Sequence, residues 1–172
     1  TLLTPVAIKV LPPEFTADPV AVARFVREAK TAGSMEHPNI VAVYDVETAV
    51  SSPYIVMEYV KGINLHTAVT VYGPFEVGEA AACGVMAAVG LQRASEFGFV
   101  HRDIKPANLI LSTAGVLKVL DFGIAKVTLD RDGATGLTNS GLHNREILGT
   151  ADYLAPEQAI DSSAVDIRAD IY

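Results

Sequence analysis

The chain has 172 residues, enough for one sizeable core or two small lobes, and half of them are apolar, more than a disordered chain carries. A net charge of −7 argues against polyanionic partners, both nucleic acid and the anionic membrane surface. The single cysteine, Cys83, excludes an internal disulfide and a cysteine-based zinc cluster, and fits a reducing compartment. The longest apolar run, residues 80–91, is about twelve residues and is broken by Gly84 and Gly90. That is short of the roughly 20 residues a membrane helix needs. Residues 1–5 have neither the basic stretch nor the sustained apolar run of a secretory leader.

In chain order, Val6 to Leu11 reads as a strand closed by Pro12-Pro13. Period-two alternation sets Val6, Ile8 and Val10 on one face and Ala7, Lys9 and Leu11 on the other. A helix follows, with Asp18 as N-cap and Pro19 at its first position. Val22, Phe25, Val26 and Ala29 form its apolar stripe, Glu28 lies on the stripe's margin, and Gly33 is the stop. Ile40–Val46 and Tyr54–Tyr59 read as a hairpin across the turn at Ser51-Ser52-Pro53. A short helix near Leu65–Val71 leads through Gly73-Pro74 to a long one from about Glu76 to Phe97, apolar all round and therefore expected to be buried, with Gly98 ending it. Short strands at Leu109–Leu111 and Leu117–Leu120 flank a turn at Thr113–Gly115, and residues 128–144, rich in Gly, Thr, Asn and Asp, read as a mobile loop. The pattern is α+β: a small antiparallel sheet with one helix over residues 1–60, then a mainly helical part over 61–172.

The chemistry concentrates in His101-Arg102-Asp103-Ile104-Lys105-Pro106-Ala107-Asn108 and, further on, Asp121-Phe122-Gly123. Two carboxylates, an amide and an ammonium fall within twenty-one residues. The carboxylates and the amide oxygen are donors suited to a hard cation, one carboxylate is a candidate base, and the ammonium adds a positive charge. Alone, Asp103 reads as a turn cap, Lys9 as an ordinary strand lysine and Glu28 as a surface carboxylate.

Together with Val6-Ala7-Ile8-Lys9, Arg27-Glu28-Ala29, His37-Pro38-Asn39-Ile40-Val41, Met57-Glu58-Tyr59-Val60 and Gly149-Thr150-Ala151-Asp152-Tyr153-Leu154-Ala155-Pro156-Glu157, these motifs run in one order along nearly the whole chain. In them the chain resembles Ser/Thr protein kinases, particularly the bacterial eukaryotic-like (Hanks-type) enzymes. The resemblance implies a partial bilobal kinase fold that uses ATP and Mg²⁺ and phosphorylates Ser or Thr of a protein substrate, with no nucleic-acid partner. It implies Asp103 as catalytic base and Lys105 as the γ-phosphate contact, with Asn108 and Asp121 as metal ligands. Lys9 would meet the α- and β-phosphates and pair with Glu28. Ala7, the backbone of Glu58 and Val60, and Ile110 would surround the adenine. His101 would be structural, packing on Phe122, while His37, His66 and His143 share no metal-ligand spacing.

Arg102 implies control by phosphorylation within an activation segment over residues 121–157, with Thr138, Thr135 and Ser140 as candidate acceptors. Thr150 would hydrogen-bond Asp103 and Lys105, and residues 153–157 would form the substrate-docking wall. Two family parts do not occur in these residues. No Gly-rich loop precedes Lys9, and the helix beginning at Asp170-Ile171-Tyr172, whose Asp would anchor the His101-Arg102 backbone, is not continued. The same holds for the distal Arg that would pair with Glu157. The expectation is an active, cytoplasmic kinase in a longer parent, itself a candidate for membrane anchoring, with these 172 residues inactive alone. The competing readings are a pseudokinase-like nucleotide-binding scaffold, whose mark would be loss of Lys9, Asp103 or Asp121, and a small-molecule phosphotransferase.

Overall fold

Among the described residues, two three-stranded antiparallel sheets organise the fold. The computed structural model describes residues 4–121, 152–160 and 165–172, with the side chain of Glu28 outside that description. The first sheet has the order β1–β3–β2, from β1 (Val6–Val10), β2 (Val43–Glu47) and β3 (Tyr54–Glu58). Its alternation is the expected one: Val6, Ile8 and Val10 face solvent, while Ala7 and Leu11 face a core formed by Phe25, Ala29, Val41, Ile55 and Met57. A four-residue helix α1 (Pro13–Thr16) sits where only a strand stop was expected, because Pro13 at a first helical position needs no amide partner.

Helix α2 (Pro19–Gly33) starts at the predicted cap, with the Asp18 carboxylate accepting from the Val20 N–H at 3.0 Å. Its buried stripe differs from expectation. Ala21, Phe25, Ala29 and Ala32 lie inside, whereas Val22 and Val26 are only half-buried. The inner positions are held by three alanines around Phe25, and the valines lie on the flank.

The second sheet, β4 (Gly62–Asn64), β5 (Leu109–Ser112) and β6 (Leu117–Val119), contains a strand that the sequence did not announce. Gly62 of β4 passes so close to the Leu111 carbonyl that no β-carbon fits there, and three residues are too few to show a period. Asn64 then caps α3 (Leu65–Tyr72) by accepting from the Thr67 N–H at 2.7 Å. Helix α4 (Val77–Glu96) opens on a reciprocal Glu76–Glu79 box and closes at Gly98, where φ is +69°. It was expected to be buried throughout, yet among the described residues only one face is covered, through Cys83, Ala87, Gly90, Leu91 and Ala94. Val77 and Val85 on the other side are exposed. The last described elements are a 3₁₀ turn over Pro106–Asn108, helix α5 (Pro156–Ile160) and a 3₁₀ turn over Ile167–Asp170.

Among the described residues, the sheets meet at a seam beside β6. The strand expected to begin at Ile40 begins at Val43, because residues 39–41 run beside β6 instead. Val119 donates to the Asn39 carbonyl at 2.8 Å and accepts from the Val41 N–H at 3.0 Å, while the Asn39 amide donates to the Leu117 carbonyl at 2.8 Å. Gly90 of α4 presses on the same Asn39, where an added β-carbon would lie 2.9 Å from its carbonyl oxygen. Across the seam, the Lys118 ammonium meets the Glu58 carboxylate at 2.9 Å and the Ile40 carbonyl at 3.4 Å, and the same carboxylate oxygen accepts from the Ala42 N–H at 3.3 Å. Lys118→Met strands a half-buried carboxylate at this junction, so it should destabilise the protein by about 1–3 kcal/mol, with the further change Glu58→Gln recovering part of the loss. Denaturant titration checks this, and a single mutant within about 0.5 kcal/mol of wild type would show that the ion pair contributes nothing.

Candidate active site

The turn between α4 and β5 carries a dense polar cluster. His101 is fully buried, and its ring acts as an internal brace. Its Nδ1 accepts from the Asp103 N–H at 3.2 Å, so the proton sits on Nε2, which donates to the Leu120 carbonyl at 2.6 Å. Burial pushes the imidazole pKa below its ordinary value, against the Leu120 hydrogen bond and the nearby charges of Asp170, Asp103 and Asp121. The structural role expected for His101 therefore has a concrete form, while its packing on Phe122 falls outside the described residues.

Arg102 follows with φ at +65°, a left-handed conformation uncommon for a residue with a β-carbon. Asp170 holds it: one carboxylate oxygen accepts from the His101 N–H and the other from the Arg102 N–H, both at 2.6 Å. Burial raises the Asp170 carboxyl above its ordinary range, and those two N–H groups pull the other way. On the far side of Arg102, its carbonyl accepts from the Gln158 amide at 2.8 Å.

This bent turn directs Asp103 and Asn108 at each other. The Asn108 amide nitrogen donates to the Asp103 carbonyl at 2.8 Å and to Oδ2 of its carboxylate at 3.0 Å, which fixes the amide orientation and leaves its oxygen on the opposite side. The Lys105 ammonium lies 3.0 Å from the same Oδ2. Asn108 is itself nearly buried, and its backbone carbonyl accepts from the Leu120 N–H at 2.9 Å. Leu120 thus ties the turn to Asp121, another residue with positive φ, at +55°. From the other sheet, the Lys9 ammonium reaches Asp121 Oδ1 at 2.8 Å. Strand β1 and the end of β6 are brought together by that contact, with both side chains roughly one-third exposed.

Of the residues singled out from sequence, Lys9, Asp103, Lys105, Asn108 and Asp121 form this connected set, with Arg102 at its bend. Ala7 lies opposite Met57 in the first sheet and packs with Val60 on the small core that Leu120 also joins. Ile110 is half-buried in β5, across from Asn64 and Lys118. Glu58 contributes its side chain to the seam, a role the sequence did not disclose beyond the alternation that turns Lys118 away from Leu117 and Val119. The Glu28 side chain, Thr135, Thr138, Ser140 and Thr150 lie outside the described residues. The oxygens of Asn108 and Asp121 are hard donors, and each is a side chain whose other polar atom is already held by a neighbour. That donor set fits a magnesium ion.

Residues 3–172 match the protein kinase domain family, and the chain belongs to it. It is 43% identical over 171 residues to the serine/threonine-protein kinase PknB of Mycobacterium leprae, an alignment covering 97% of this chain and 26% of that protein. A probable serine/threonine-protein kinase PknB of Corynebacterium glutamicum is 42% identical, over 97% of this chain and 25% of that protein. The chain thus spans about a quarter of the length of these relatives, which place it with the bacterial Hanks-type Ser/Thr kinases. Among solved structures, a double mutant of the Mycobacterium tuberculosis PknI kinase domain superposes with a TM-score of 0.67 at 29% identity, covering 96% of this chain and 59% of that one. The unaltered PknI kinase domain gives 0.60 at 33% identity, over 70% of this chain and 50% of that one.

The His101 brace makes a pH prediction. A depressed folded-state pKa means that its stabilising contribution is complete above the unfolded value of about 6.5 and is lost as pH falls toward the folded value. Between pH 7 and 5 the thermal midpoint of wild type should fall more steeply than that of His101→Gln, as read by calorimetry; parallel curves would contradict it.

Proposed function

We propose that the protein transfers the γ-phosphoryl group of ATP to a Ser or Thr hydroxyl of a protein substrate. The observation that carries this reading is the convergence of Lys105 and Asn108 on one carboxylate oxygen of Asp103, while Lys9 and Asp121 meet at 2.8 Å. With Oδ2 of Asp103 so held, Oδ1 is the oxygen left to accept the proton of the substrate hydroxyl. The hydroxyl oxygen bonds to the γ-phosphorus as the bond from that phosphorus to the β–γ bridging oxygen breaks, and ADP leaves with the electron pair. Lys105 neutralises charge on the transferring group, and Lys9 binds the α- and β-phosphates, supported by Glu28. Asn108 and Asp121 would hold Mg²⁺, which when bound neutralises the phosphate oxygens.

Backbone groups of Glu58 and Val60, with Ala7 and Ile110, bind the adenine. Residues 1–60 serve as the nucleotide-covering lobe and 61–172 as the catalytic lobe. Phosphorylation at Thr138, Thr135 or Ser140 orders residues 121–157 by pairing with Arg102, and Thr150 supports Asp103 and Lys105. The enzyme works in the cytoplasm. No helix among the described residues is long and apolar enough to cross a membrane, and an anchor elsewhere in a longer parent is compatible with this reading.

Asp103→Asn in the full-length protein tests the proposal. Transfer from labelled ATP to myelin basic protein should fall by about 10²–10⁴-fold, with nucleotide affinity kept within a few-fold. Near-normal transfer by that variant would overturn the reading.

A further inference from the structure

Gln158 lies just beyond the Ala155-Pro156-Glu157 corner, and nothing in its residue type or spacing drew attention to it. Its half-buried amide makes two directed bonds. Oε1 accepts from the Ala155 N–H at 3.1 Å, and Nε2 donates to the Arg102 carbonyl at 2.8 Å across 56 positions of sequence. That carbonyl belongs to the peptide unit joining Arg102 to Asp103. The left-handed Arg102 is thereby held at both ends, by the Asp170 carboxylate on its N–H and by Gln158 on its C=O. Ala155 is fully buried and packs with Val165, Ala169 and Val100, so the corner to which Gln158 is tied is itself anchored.

We infer that Gln158 is a positioning residue that sets residues 153–157, the substrate side of the site, in register with the base Asp103. This inference rests on the kinase function proposed above. Only a neutral amide of this length supplies an acceptor for Ala155 and a donor for Arg102 at once. Glutamate keeps the shape and the acceptor but has no hydrogen to donate; leucine keeps the bulk and neither bond. Losing the link frees the docking wall to shift relative to the base, and small misplacements of a reacting hydroxyl are costly in rate. Lys9, Asn108 and Asp121, assigned above to the phosphates and Mg²⁺, are not among the hydrogen-bond partners of Gln158 in the described residues.

The experiment compares wild type, Gln158→Glu and Gln158→Leu in the full-length protein, using myelin basic protein as acceptor and, separately, water as acceptor in slow ATP hydrolysis. Both variants should lose about tenfold in kcat/KM for the protein acceptor, while KM for ATP and the hydrolysis rate stay within about twofold. Equal loss of protein phosphorylation, hydrolysis and ATP binding would mean that Gln158 merely supports folding, and unchanged phosphorylation in Gln158→Glu would mean that the Arg102 bond positions nothing; either overturns the inference. If wild type binds ATP but phosphorylates no protein, the kinase reading fails and takes this inference with it.

Discussion

One carboxylate, that of Asp170, shapes the chemistry-bearing turn. Its two oxygens each accept a backbone N–H at 2.6 Å from consecutive residues, His101 and Arg102. A left-handed non-glycine residue costs about 1–3 kcal/mol of strain and survives only where its surroundings over-determine it. Charge-assisted hydrogen bonds contribute about 1.5–3 kcal/mol each, the same order as that strain. Because Arg102 bends there, Asp103 and Asn108 face one another instead of diverging along an extended strand, and Lys105 folds back onto the same oxygen. Burial of Asp170 raises the cost of its charge, and that cost is accepted where the turn needs a rigid foundation.

The second requirement is that two sheets share one site. Lys9 comes from β1 and Asp121 from the end of β6, and the seam at Asn39, Val41 and Val119 fixes their separation. Lys118 and Glu58 reinforce that seam on the side facing β3, while the His101 ring bonds the Leu120 carbonyl. The pieces that bring Lys9 and Asp121 together are therefore backbone ladders and buried polar groups, and the two side chains themselves remain partly open to solvent. That division suits the proposed phosphoryl transfer, in which positioned charge does most of the work and the protein takes little covalent part.

Much of this was legible in the residues. The alternation of Val6, Ile8 and Val10, the Asp18-Pro19 helix start, the hairpin through Pro53 and the stop at Gly98 all follow local rules whose physics is local too. The polar cluster was legible because its spacing is dense and its residue types are chemically specific. Contacts between distant segments were not. Strand β4 is too short to show a period, the alanine stripe of α2 depends on which face meets distant segments, and the one-sided burial of α4 cannot be read from a sequence apolar on every face. Glu58 with Lys118, and Gln158 with Arg102, pair across 60 and 56 positions through side chains that look ordinary in isolation.

The most direct measurement of the central claim is backbone hydrogen exchange in Asp170→Asn, which keeps the shape of the side chain but replaces one of its two acceptors with a donor. If Asp170 builds the turn, exchange at His101 and Arg102 should accelerate by at least about tenfold relative to wild type, and phosphotransfer should fall with it while the β1–β3–β2 sheet keeps its protection. Unchanged exchange at those two amides, with full activity, would show that the turn holds its shape without Asp170 and would contradict the account.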